Sequence, residues 1–131
     1  MGQPAFDSGE GEGVFAETLR DVLRRTQGAL AAALVANDGV PVCLSGKAPG
    51  GGLGILTAHL TDLLKRSAAA AEECGVGPTS ELIQKTSSNS LLILGVTGQY
   101  SLLLVLDRDG SIGRGRWELR KAAELLRPEL V

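Results

Sequence analysis

Residues 81–126 read ELIQKTSSNSLLILGVTGQYSLLLVLDRDGSIGRGRWELRKAAELL. Two runs inside this stretch, SLLILGVT (90–97) and YSLLLVLD (100–107), are almost continuously aliphatic, which marks strands covered on both faces. Gly98-Gln99 joins them as a tight turn. The run before them, TSELIQKT (79–86), carries Glu81, Gln84 and Lys85 and reads as a more polar strand, turned by Ser88-Asn89. Leu104, in the middle of the last run, is expected to be fully buried. A helix follows from about Gly113 to Arg127, with Trp117, Leu119, Ala122, Ala123 and Leu126 as its buried candidates, and Pro128 marks its end.

Upstream, ALAAALVA (29–36) is apolar on both faces, and VPVCLS (40–45) contains Pro41, which cannot donate to a ladder and so suits an edge strand. Asp38-Gly39 between them is a hairpin signal, and a two-residue turn there requires both residues at positive φ. A first helix starts at Gly13, with Phe15, Leu19, Val22 and Leu23 on one face, acids early and arginines late, and it stops at Gly28. The glycine-rich 46–54, GKAPGGGLG, lacks the spacing of a phosphate loop and reads as a connection. A long middle helix runs from Leu53 to Cys74. At 100° per residue its apolar stripe holds Leu53, Leu56, Leu60, Leu63, Leu64, Ser67, Ala70, Ala71 and Cys74. Thr61, Asp62, Lys65, Arg66, Glu72 and Glu73 fall opposite, with His59 at the border. The chain thus divides into a flexible tail, 1–12, and one domain, 13–131.

The element order is α-ββ-α-βββ-α. Placing the two polar strands outermost gives one five-stranded, mixed or antiparallel sheet in the order 2-1-5-4-3, an α+β sandwich. Three strands are central, and covering both faces of that centre requires helices on both sides. The first and last helices share one face, and the middle helix takes the other.

Composition excludes several classes of function. With 131 residues, 44% hydrophobic and 3% aromatic, the core must be aliphatic. Few aromatics and a net charge of −2 argue against nucleic-acid binding. Cys43 and Cys74 form no CxxC pair, and with one His they make no zinc set, so both are read as small buried hydrophobes of a reducing compartment. Asp107, Asp109, Ser111 and Glu118 match calcium-loop positions, but Ile112 stands where the sharp turn needs glycine. No Ser/His/Asp or Cys/His set is identifiable. We therefore expect no catalytic residue, cofactor or metal, and no binding of calcium, magnesium, zinc or nucleotide by this chain alone. No signal peptide or membrane helix is visible, so the expected location is cytoplasmic.

The first helix leading to AALVANDGVPVCLSG (32–46), the long helix and the 81–126 run together resemble the Roadblock/LC7 family, which shares a profilin-like architecture and includes dynein light chains and the bacterial gliding-motility regulator MglB. The resemblance covers roughly residues 14–127 and is one of order and pattern. It implies a non-enzymatic homodimer that binds a Ras-like small GTPase, with a possible GTPase-activating role. The other reading it leaves open is a dynein light chain-like scaffold subunit of a larger heteromeric complex. In the family the third strands of two subunits pair antiparallel and the middle helices pack side by side. That implies dimer contacts at Leu53, Leu56, Leu60, Glu81, Leu82, Ile83, Gln84 and Lys85. The partner surface would be the exposed middle helix at Asp62, Lys65, Arg66, Ala69 and Glu73. Among Arg108, Arg114 and Arg116 nothing in the sequence selects an arginine for transition-state chemistry.

Overall fold

The computed structural model describes residues 10–130, with side chains described from Gly13 onward. Most of the tail expected at 1–12 lies outside the described residues. The elements are α1 (Glu10–Arg25), β1 (Ala29–Ala36), β2 (Pro41–Gly46), a 3-10 turn (Pro49–Gly51), α2 (Leu53–Glu73), β3 (Glu81–Lys85), β4 (Asn89–Thr97), β5 (Tyr100–Asp107), α3 (Ile112–Leu126) and a closing 3-10 turn (Arg127–Glu129). Helix α1 starts three residues before the expected Gly13.

The strands form one sheet in the order β2-β1-β5-β4-β3, and every pairing is antiparallel. Side-chain alternation builds two cores. Leu34, Leu92, Leu102, Leu104 and Leu106 point to one face, where they meet Leu19 and Val22 of α1 and Leu119 and Leu126 of α3. Val35, Leu91, Ile93, Leu103 and Val105 point to the other, under Leu53, Leu60 and Leu64 of α2. The central strands carry aliphatic residues without interruption because both of their faces are covered.

The β1–β2 turn differs from expectation. Among the described residues only glycines have positive φ, so Asp38 does not, while Gly39 lies at φ 87°. Gly39 N–H donates to Ala36 O at 2.9 Å, and Ala36 N–H donates to Val40 O at 2.9 Å. The turn is thus a three-residue loop with a left-handed glycine rather than a two-residue mirror-image turn. Gly39 also lies close to α2, because a Cβ there would stand 3.0 Å from Ala58 Cα.

Three burial expectations are corrected. Trp117 is 56% exposed. The packed stripe of α3 runs through Gly115, Leu119, Ala122, Ala123 and Leu126, and two residues beyond Gly115 is about 200° around the helix. Gly115 is the close approach, since a Cβ there would meet Leu104 Cδ2 at 3.0 Å. Cys74 is exposed at the end of α2, whereas Cys43 is buried. Thr61, expected on the polar side, is 4% exposed, and Thr57 is fully buried. The buried line of α2 therefore runs through Leu53, Thr57, Leu60, Thr61 and Leu64, turned away from Ala70 and Cys74. Thr57 Oγ1 lies 2.8 Å from Gly54 O in its own helix and 3.1 Å from Gly39 O of the β1–β2 loop, so its one proton is shared between the two. Aliphatic size alone does not register such a bond. No helix of the described residues is long and apolar enough to cross a membrane.

Candidate interaction surface

Two features of the sequence meet at one border of the molecule. The first is the outer edge of β3. Gly95 N–H donates to Ser80 O, and Thr86 N–H donates to Asn89 O, both at 2.9 Å. With the register Leu82↔Ile93 and Gln84↔Leu91, antiparallel alternation directs the even-numbered backbone groups to β4. The N–H and C=O of Glu81, Ile83 and Lys85 consequently point outward, along an edge that no strand covers among the described residues. Leu82 joins the α2-side core, so Glu81, Ile83 and Lys85 share the α3 side. Ile83 is 43% exposed.

The second feature is the flank of α2. Lys65 Nζ donates to Asn37 O at 3.2 Å, and with the Thr57–Gly39 bond this turns one flank of α2 toward the β1–β2 loop. On the opposite flank, toward β4 and β3, lie Leu56 and Leu63, both half-buried. Together with Leu82 they form an apolar strip beside the open β3 edge. Leu53 and Leu60 have a different role from the one expected. At 7% and 1% exposure they spend their surface on the chain's own core, beneath the strip.

The outer line of α2 carries Asp62, Arg66, Ala69 and Glu73, all exposed, together with His59. Asp62 and Arg66 form an exposed i,i+4 ion pair at 3.2 Å, a contact that contributes little to stability. Lys65 stands apart on the β1–β2 flank. The sequence reading missed Ile55, which is 77% exposed on this same outer line. Its signal was the helical angle, since two residues beyond Leu53 falls about 200° away.

On the α3 side, Glu81 is held by a clasp. Arg116 donates to it through two nitrogens, at 3.1 and 2.7 Å, and Arg120 adds a third bond at 2.8 Å. The bonds from Arg116 hold the Glu81 carboxyl below the usual carboxylate range; partial burial opposes this and Arg120 reinforces it. Glu81 was expected among the dimer contacts; its backbone lies on the open β3 edge, and its side chain ties β3 to α3. Arg114 is also engaged. It lies 2.8 Å from the buried Glu118 carboxylate, which Lys121 approaches at 3.3 Å. Arg108 is exposed in the β5–α3 turn. The calcium-loop positions serve other ends: Asp107 Oδ1 accepts from Asp109 N–H at 3.0 Å, and Ser111 Oγ caps α3 by accepting from Arg114 N–H at 3.1 Å. Among the described residues no three His, Cys, Asp or Glu side chains group to hold a metal.

No family model matches the sequence, and no curated protein sequence matches it. Solved structures do. An MglB with a tetrameric arrangement superposes with a TM-score of 0.80 at 24% identity, over 92% of this chain and 90% of that one. A Roadblock/LC7 domain from Streptomyces avermitilis gives 0.79 at 17% identity, over 87% and 95%. MglC from Myxococcus xanthus gives 0.66 at 30% identity, over 89% and 99%. The five-stranded antiparallel sheet in the order 2-1-5-4-3, its three helices and these likenesses agree: the chain belongs to the Roadblock/LC7 domain family.

Proposed function

We propose that the chain is a non-enzymatic regulatory or adaptor module of the cytoplasm, a homodimer that binds a Ras-like small GTPase. The observation that carries this reading is the open β3 edge lying beside the half-buried Leu56, Leu63 and Leu82. An edge with outward N–H and C=O groups is a template for another strand. The apolar strip supplies area that antiparallel β3–β3 pairing would bury. Two α2 helices brought side by side in this way present the outer line of Asp62, Arg66, Ala69 and Glu73 from each copy, with Lys65 on its β1–β2 flank. Family membership supports a GTPase as its partner, and contact through this surface would bias the partner's switch loops.

The test is a pull-down and titration calorimetry with Ras-like GTPases loaded with GDP or a GTP analogue, beside light scattering of the chain alone. The expected result is a dimer that prefers one nucleotide state. Reversing charge at Lys65 and Arg66 together should weaken GTPase binding and leave dimerisation and melting unchanged, because exposed charges set on-rate and partner choice more than fold stability. Unaltered binding by that double variant would move the contact to the Arg108-to-Arg116 segment. A monomer throughout the micromolar range would remove the basis of the reading.

A further inference from the structure

Helix α2 ends in a rigid acidic knob. Gly75 at φ 82° allows Gly75 N–H to donate to Glu72 O at 3.1 Å and Val76 N–H to donate to Ala71 O at 3.0 Å, the paired bonds of a Schellman motif. Val76 is therefore fixed in position and yet 77% exposed. Beside it Glu72 and Glu73 are exposed at the carboxyl end of the helix, where the dipole is already negative. The last turn of α2 has no basic residue. Two carboxylates there are unfavourable for the helix that carries them, and cations from outside would relieve them.

On the opposite face of the sheet lies a matching pocket of about 360 Å³, with Trp117 as its wall and Leu94 and Gly95 on its floor. Leu94 turns toward this side of the sheet, and Gly95, next in the strand, lines the pocket with its backbone alone. Arg120, Lys121 and Arg127 stand around it. Five cations on α3 and just beyond it, Arg114, Arg116, Arg120, Lys121 and Arg127, share three carboxylates, Glu81, Glu118 and Glu124. Among the side chains that line the pocket, Arg120, Lys121 and Arg127 outnumber Glu124 by two, a net positive rim for the two carboxylates of the knob.

We infer that the α2 end of one copy docks in the α3 pocket of another, Val76 against Trp117 and Glu72 and Glu73 against the basic rim. Knob and pocket lie on opposite faces, so a copy does not fill its own pocket. The contact is heterologous and builds a ring or a chain of copies. It uses neither the outward backbone groups of β3 nor the Leu56–Leu63 strip, and it reaches β3 only through Arg120, which also bonds Glu81. Its small size makes it a weak contact.

Sedimentation velocity from about 10 μM to about 1 mM spans the affinities of such small contacts. Weight-average mass should rise with concentration above that of the smallest species, and added salt should suppress the rise. Val76→Asp and Trp117→Ala should each abolish the rise while the smallest species and the far-UV circular dichroism stay as in the wild type. An equal mixture of the two should regain it, because the first keeps its pocket and the second its knob. Ile83→Pro, which acts on the β3 edge, should leave the rise in place, so failure of the dimer and failure of this contact are told apart. A flat wild-type mass over the whole range overturns the inference. So does wild-type association by either variant, or a mixture that stays apart.

Discussion

Leu104→Ala tests the centre of the sheet. The residue is fully buried in β5, between Ala32 of β1 and Leu92 of β4. The substitution removes three carbons, which at roughly 0.8 kcal/mol each forfeits about 2.4 kcal/mol of transfer free energy. The gap does not close easily. Ala32 has no long side chain to move in, and facing the gap on α3 is Gly115, whose missing Cβ would lie 3.0 Å from Leu104 Cδ2. A residual void on the order of 50–80 Å³ adds about 1–2 kcal/mol, for a total of about 3.5–4.5 kcal/mol. The assay is urea unfolding followed by far-UV circular dichroism, at one fixed protein concentration because oligomerisation contributes to apparent stability. The slope with denaturant should stay constant while the midpoint falls. Gly115→Ala added to Leu104→Ala should recover about 1 kcal/mol, by helix propensity and by filling part of the void. A loss under about 1 kcal/mol for Leu104→Ala would mean that β5 is not packed between two covered faces.

Ile83→Pro removes an outward N–H from β3 without touching the bonds to β4, so sedimentation should show a weakened dimer; an unchanged dimer would exclude β3 pairing. Glu81→Gln should flatten the acid limb of the stability curve. A carboxyl whose folded-state value is depressed contributes fully above its unfolded value, near pH 4, and that contribution is lost as pH falls through the folded value; an identical acid slope in the variant would show that the clasp contributes nothing. Calorimetry with calcium, magnesium, zinc, ATP and GTP should show no saturable heat from this chain alone. Saturable calcium binding lost in Asp107→Ala would make 107–118 a metal loop.

Strand order was legible because two kinds of residue mark position in a sheet. Pro41 and the polar Glu81, Gln84 and Lys85 belong at edges, and the unbroken aliphatics of 90–97 and 100–107 belong at the centre; β2 and β3 are the edges and β5 is the middle strand. The rotation of α2 was not legible. Its second half is rich in alanine, which gives the hydrophobic stripe little angular definition, and its buried line includes Thr57 and Thr61, polar residues that an apolar stripe leaves out. Trp117 misled for the opposite reason: its size suggested a core position, but its angle on α3 turns it outward. The outward backbone groups of Ile83 depend on where the β3–β4 ladder starts, and that is fixed by Ser80 and Gly95 rather than by side-chain pattern.

Trp117 is the only tryptophan in the chain, and it stands in solvent on α3. Its emission in the native protein therefore already resembles that of an unfolded chain, so the usual optical signal of folding is weak here. Unfolding curves drawn from tryptophan fluorescence would understate the transition of a core that holds no indole. The same accident makes the ring a native label. Anything that covers α3 changes its colour and its access to a quencher, and events on the α2 face leave it dark.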